Sequence, residues 1–483
     1  MRSSKPMHRF RGRMILWAAC AGLSGAAQAQ AQLPPEVSQA LTRERIPIEA
    51  FSVVVQEAGG STTRLALDAR RPVNPASVVK LLTTYAALDE LGPAFTWKTP
   101  VWFAGPLKNG VLEGSLHLQG RGDPKLTLER LWLAMQRIRQ MGVAEIRGDI
   151  VLDQGAFAIP DASTAEFDNE PLRPYNARPQ ALLLNLGAVI TTFTPDRDRG
   201  VASVSVEPAL DGMSVDATVP LGPGPCADWR AALKAQLGDP DRMRFAGVYP
   251  ADCGERAWAL AYPDAKLYNA RLFATLWRGV GGKLGGNVRE GPAPTTLPRF
   301  ELESPALSEV VRDINKFSNN VMAQQLFLTL ALLQSGSTRA TPDDARTALR
   351  RWLSERLGEP LDGVVIDNGS GLSRETRISA ALLARVLQRA WASSVMPELM
   401  ASLPVTGLDG TLRRVKSGVG RAHLKTGSLR DVLGVAGYVL GASGRRYVMV
   451  AIVNHPNANA ARPALEALLQ WTMNDATRGD LRK

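Results

Sequence analysis

Five strand-forming runs, two near the start of the chain and three near its end, constrain the fold of this sequence most. Residues 48–56 and 64–69 carry the apolar alternation of paired strands, with Gly59-Gly60-Ser61 as the turn between them. Ala422–Leu429, Val432–Leu440 and Arg446–Asn454 repeat the pattern at the other end, the last two joined through Gly441-Ala442-Ser443-Gly444. Together they predict one five-stranded antiparallel sheet, flanked by helices over 35–42, from Ser77 onward and over 462–473. Its halves lie far apart in the chain, so the residues between them are an insertion. That insertion is read as 105–295, entered at Gly105-Pro106 and left through a Gly/Pro/Thr-rich linker that runs from Gly285 to Pro298. In and beside it, 98–103, 111–119, 148–152, Val201–Glu207 and 214–219 alternate as strands do, and 127–141 has helical spacing. The fold class is therefore α+β: a sheet domain built from 30–104 and 296–483, and a smaller α+β or β-rich insertion of one body or two. At 483 residues the chain exceeds what one ordinary core organises.

Residues 1–29 read as a secretory signal peptide. Arg2, Lys5, Arg9, Arg11 and Arg13 precede an apolar run from Met14 to Leu23, and small residues end it at Ala27-Gln28-Ala29. The run is too short to span a bilayer and no later stretch is apolar enough, so an exported, soluble protein starting near Gln30 is expected. Removing the leader takes the net charge from +11 to 11 − 5 = +6. The remaining basic residues are scattered without interleaved aromatics, which argues against a nucleic-acid partner. Cys20 lies in the leader with Trp17 where a lipoprotein signal prefers Leu. Cys226 and Cys253 remain, and export favours a disulfide between them over two unrelated buried thiols.

Three polar motifs carry the chemistry: Ser77-Val78-Val79-Lys80, Ser318-Asn319-Asn320 and Lys425-Thr426-Gly427. A serine hydroxyl needs a base to take its proton as it attacks. Lys80 lies one helical turn after Ser77, which puts their Cβ atoms roughly 5 to 6 Å apart. Burial and a neighbouring cation lower a lysine pKa enough for that task, and Lys425 is a candidate cation. The helix N-terminus adds a positive field at Ser77. Histidine is the usual competitor, but His117, His423 and His455 fall in no triad or metal spacing, and a structural role is the plainer reading of His423, two residues before Lys425 on the same expected strand. No metal or other cofactor is expected. Taken singly, Ser318-Asn319-Asn320 is also a plausible helix cap and Lys425-Thr426-Gly427 a plausible strand end.

In this order the motifs resemble those of serine acyl-transferases acting on D-Ala-D-Ala peptides and penicillins. Nearly all of the mature sequence resembles the D-alanyl-D-alanine carboxypeptidases of the penicillin-binding protein 4 type, the low-molecular-weight class C penicillin-binding proteins. Further matching stretches are Gly122-Asp123-Pro124, Pro174-Tyr175-Asn176-Ala177, Asp367-Asn368-Gly369-Ser370-Gly371-Leu372-Ser373-Arg374 and Gly410-Thr411-Leu412. The resemblance implies a β-lactamase/transpeptidase-like domain and hydrolysis of D-Ala-D-X bonds in peptidoglycan stem peptides and cross-links. It also implies covalent inhibition by β-lactams and, with export, a periplasmic location. By residue, it implies Ser77 as nucleophile, Lys80 as base, Ser318 as proton relay and Asn320 as the side chain orienting Lys80. Lys425, Thr426 and Gly427 would hold the substrate carboxylate, and the Ser77 and Ser428 N–H groups the oxyanion. Asn319 departs from a common aspartate. A β-lactamase shares the motif set but needs a second base for deacylation, and no Glu stands in a recognisable signature for one. A non-catalytic wall-binding scaffold needs none of these side chains. Asp168 reads as a surface carboxylate, with contact to a substrate amine the alternative.

Overall fold

The computed structural model describes residues 32–475 except 240, 335, 359 and 360; the leader expected over 1–29 lies outside the described residues. Strands β1 (Phe51–Glu57), β2 (Thr63–Leu67), β3 (Ala422–Leu429), β4 (Val432–Leu440) and β5 (Arg446–Asn454) form one antiparallel sheet in the order β2-β1-β5-β4-β3. The halves meet where β1 pairs with β5, Val54 opposite Val450. β4 is buried along nearly its whole length because both faces are covered.

On one face Val54, Ala436, Tyr438, Val448 and Val450 join a core that the helix Ala380–Trp391 covers directly, Tyr438 donating to the Leu387 carbonyl, and that continues into helices α1 (Lys80–Leu91), α2 (Leu307–Phe317) and α3 (Asn320–Gln334). On the other, Val53, Val55, Leu433 and Met449 pack against the helix Pro35–Arg43 and α4 (Arg462–Met473). α3 is buried all round, and so lacks the polar stripe of a surface helix. Helices Pro342–Leu357, Ala380–Trp391 and Met396–Ser402, unassigned from sequence, complete this part.

The intervening chain forms its own core, running from Val101 to Phe300, around the helices Leu128–Gln140 and Ala265–Gly279. One of its five-stranded sheets takes in Lys98–Ala104 and Phe300–Glu303, paired to each other at Val101 and Phe300, so it extends past 105–295 on both sides. Two strand expectations divide. The run 111–119 becomes Val111–Leu112 and Ser115–Gln119 in separate sheets, because Gly114 lies against the Ala104 carbonyl, where no side chain fits. The run 214–219 becomes Ser214–Val215 and Thr218–Gly222, which join different sheets, the first beside Arg242–Phe245 and the second beside Val201–Glu207. Cys226 and Cys253 form a disulfide in this unit. No described helix is long and apolar enough to cross a membrane.

Candidate active site

Ser77 lies where the chain turns from the sheet into α1. Ser77 opens a helix as expected: Ala76–Val79 form a 3-10 turn that runs directly into α1 at Lys80. The turn is anchored on both sides. Asn454 on β5 accepts from the Asn74 N–H (2.8 Å) and donates to the Asn74 carbonyl (2.9 Å), and Asn74 donates to the Ser373 carbonyl (2.9 Å). Two glycines let neighbouring segments close in. A Cβ on Gly371 would sit 2.0 Å from the Ala76 carbonyl oxygen, and one on Gly427 would sit 3.0 Å from the Ser77 nitrogen.

Lys80 is fully buried. Its Nζ lies 2.8 Å from Ser77 Oγ and donates to Asn320 Oδ1 (2.7 Å) and the Ser370 carbonyl (2.5 Å). The last two atoms can only accept. A neutral amine that gives its two protons to them points its lone pair at the Ser77 hydroxyl. Burial, with the nearby charge of Lys425 second, holds the Lys80 pKa well below the usual lysine value, so the neutral form is accessible.

Ser318 caps α2 in a left-handed backbone conformation (φ 57°, ψ 37°), a strained geometry for a residue with a side chain. The turn aims its hydroxyl at Lys425, whose Nζ donates to Ser318 Oγ (2.9 Å) and to the Thr426 carbonyl (2.7 Å). Asn319 turns away and caps α3, accepting from the Met322 N–H (3.0 Å). The capping reading therefore holds twice: Asn319 caps α3 through its side chain, and Ser318 ends α2 through its backbone, leaving the Ser318 hydroxyl for the site. Lys425 is fully buried, and that burial lowers its pKa to about 7.

β3 is an edge strand, so alternate backbone groups face out of the sheet. The Ala422 carbonyl accepts from the Thr406 N–H and the Leu424 N–H donates to the Pro404 carbonyl, both off the edge. The period of two puts the Thr426 and Ser428 N–H groups on that same edge. Thr426 Oγ1 bonds Thr411 Oγ1 (2.8 Å), and Ser428 Oγ donates to Asn459 (2.8 Å). The Thr411 loop is held from the α2 side: buried Lys316 donates to the Leu403 carbonyl and to Asp409, both at 2.6 Å. Burial raises the Asp409 pKa, but its hydrogen bonds from Lys316 and the Val405 N–H outweigh that and leave it below the ordinary value.

Ser77, Lys80, Ser318, Asn320, Lys425, Thr426, Gly427 and Ser428 thus converge, while Cys226 and Cys253 sit in the accessory unit. Asp168 accepts from the Tyr175 hydroxyl and from Asn176 Nδ2, both at 2.8 Å, and so braces its own segment. That segment reaches the site, because Asn320 Nδ2 donates to the Tyr175 carbonyl (3.2 Å). His423 rests its Nδ1 3.2 Å from the Met400 carbonyl, a structural role. The carbonyls of Ser370 and Tyr175 had no sequence signal for this contact, since any residue type supplies one. Among the described residues no group of His, Cys, Asp or Glu is arranged to hold a metal ion. The arrangement can deprotonate a serine hydroxyl and bind an anion beside it.

The sequence model of the D-Ala-D-Ala carboxypeptidase 3 (S13) family matches residues 33–475. The chain is 27% identical to a D-alanyl-D-alanine carboxypeptidase of Actinomadura sp. (strain R39), over 94% of this chain and 86% of that protein. Its fold is similar to that of penicillin binding protein 4 (dacB) from Haemophilus influenzae, with a TM-score of 0.73 and 22% identity over 90% of this chain and 99% of the other. It is also similar to the penicillin G-acylated predatory endopeptidase Bd3459 of Bdellovibrio bacteriovorus, with a TM-score of 0.52 and 15% identity over 88% and 92% of the two chains.

Proposed function

The chain belongs to the D-Ala-D-Ala carboxypeptidase 3 (S13) family, and on that footing we propose that it hydrolyses D-Ala-D-X bonds of peptidoglycan stem peptides through an acyl-Ser77 intermediate. Ser77 Oγ attacks the carbonyl of the penultimate D-Ala while Lys80 Nζ takes the hydroxyl proton. The oxyanion is met by the N–H groups of Ser77 and Ser428, each such donor being worth about 3 to 4 kcal/mol in the transition state. Ser318, hydrogen-bonded to Lys425, relays to the departing amine the proton that Lys80 took from Ser77, which returns Lys80 to its neutral form. Lys425 and Thr426 hold the terminal carboxylate. Water then attacks the ester, gives a proton back through Lys80, and frees Ser77 and the shortened peptide.

The three-way environment of Lys80 Nζ carries this reading, because two obligatory acceptors leave only Ser77 to receive the lone pair. Cleavage of cross-links as well as free termini is part of the proposal, supported by the fold shared with an endopeptidase. So are covalent inhibition by β-lactams, supported by that protein's penicillin G-acylated state, and export to the periplasm. The accessory unit would serve catalysis by supplying the Tyr175 carbonyl to Asn320.

Intact mass of the purified mature protein after adding benzylpenicillin tests this, with Ser77→Ala as control. A lasting adduct of one penicilloyl group, absent in the variant, is the expected result. An adduct that vanishes while penicilloate accumulates would assign a β-lactamase, and no adduct would assign a non-catalytic protein.

A further inference from the structure

Behind the carboxylate-binding edge lies a half-open cavity of about 280 Å³. Thr411, Thr426 and Ser428 line it on the β3 side and the exposed Arg462 and Glu466 on the α4 side, and Leu412, Val415, Leu424, Leu433, Leu465 and Leu469 form its apolar walls. Strand alternation explains the adjacency. Lys425 and Gly427 face Ser318 and Ser77, so Leu424, Thr426 and Ser428 share the opposite face of β3. Val435 and Leu433, their partners across Thr426 and Ser428, continue that face, and α4 closes it with Leu465 and Leu469.

We infer that this cavity receives the side chain of the terminal residue X in D-Ala-D-X, so that the enzyme releases bulky apolar D-amino acids from peptide ends. The inference rests on the proposed peptidase reading, which puts the carboxylate of X at Thr426. The carboxylate carbon is bonded directly to Cα, so the side chain of X begins at the cavity mouth. A methyl group leaves most of the space unfilled. The volume falls just short of the roughly 300 Å³ at which pockets for whole small-molecule ligands begin, a size that suits one side chain. The lining is mostly apolar, with the exposed Arg462 and Glu466 of α4 as its charged members, so an apolar side chain gains most by leaving water for the leucine walls. Each methylene buried is worth about fourfold in kcat/KM.

The test uses three peptides identical but for their ends, D-Ala-D-Ala, D-Ala-D-Leu and D-Ala-D-Phe, and measures release of the last residue by the whole mature chain. The kcat/KM of the D-Leu and D-Phe peptides is expected to exceed that of D-Ala-D-Ala. Leu465→Trp, which fills the cavity from α4, is expected to lower the D-Phe to D-Ala ratio at least tenfold. Should that variant not fold, Val415→Phe fills the cavity from the surface loop and is read in the same way. A wild-type ratio below one, or a filled cavity that slows all three peptides alike, overturns the inference. Failure to cleave any of the three, with no penicilloyl adduct, would instead overturn the peptidase reading itself.

Discussion

Asn320→Asp puts the Lys80 environment to its sharpest test. The change is isosteric, yet it replaces a neutral acceptor 2.7 Å from Lys80 Nζ with a carboxylate in a buried site. An opposite charge at about 4 Å contributes about 4 kcal/mol at an effective dielectric of 20. At 1.36 kcal/mol per pKa unit that corresponds to a rise of about 3 units for Lys80. The sign follows from the role proposed for it: the base works when neutral, so a higher pKa moves the acid limb of the kcat/KM profile toward higher pH. At neutral pH the variant is expected to lose about a hundredfold to a thousandfold in kcat/KM and to regain tenfold per pH unit on raising the pH. Asn320 also donates to the Tyr175 carbonyl, a bond the carboxylate cannot make, so Asn320→Ala serves as the control that loses both bonds without adding charge. The assay is release of terminal D-Ala from a stem-peptide analogue between pH 6 and about 10, with thermal unfolding to confirm the fold. Neutral-pH activity of Asn320→Asp within threefold of wild type, or an acid limb left in place, would refute the assignment of Lys80 as base.

Lys425 makes a stability prediction in the opposite sense to its chemistry. Its folded pKa, about 7, lies below that of the unfolded lysine, so between about pH 7 and the unfolded pKa the unfolded chain binds the extra proton and stability rises with pH. Lys425→Met is therefore expected to unfold at a higher temperature than wild type below pH 7, to lose that advantage as the pH rises, and to bind the substrate carboxylate poorly throughout. Lys316→Met strips the partner from Asp409 and a donor from the Leu403 carbonyl, and because Asp409 is partly exposed the cost is put at about 1 to 2 kcal/mol. The loosened Thr411 loop should then raise KM more than it lowers kcat, and an unchanged KM would detach that loop from substrate binding. Replacing Cys226 and Cys253 together by Ala should lower the stability of the accessory unit by roughly 3 kcal/mol in urea titration, from the loop of separation 27 that the bond closes, while leaving turnover intact.

The sheet was legible because strand signals are local. Ala422–Leu429, Val432–Leu440 and Arg446–Asn454 form at the residues their alternation predicts, and the hairpin preceding Ser77 pairs as expected, though its first strand begins at Phe51 because Ile48–Ala50 form a 3-10 turn. Local signals failed where a contact from outside a run broke or extended it. Gly114 ends one strand because Ala104 approaches it, and the accessory sheet recruits Phe300–Glu303 because Lys98–Ala104 offers it an edge. Phe300–Glu303 lies far outside the window in which periodicity is read, and the approach of Ala104 to Gly114 is a contact between two runs, which the pattern within either run does not record.

The sequence by itself determined which side chains are proposed to react: a serine and lysine one turn apart, a Ser-x-Asn and a Lys-Thr-Gly are side-chain identities at fixed spacing, and identity is what a sequence records. Tertiary structure alone decided their state. Burial of Lys80 and Lys425 lowers both pKa values, and the carbonyls of Ser370 and Tyr175, together with the left-handed turn at Ser318, fix where protons can move. Those are properties of backbone atoms and of excluded water, which arise only when segments hundreds of residues apart close around one another.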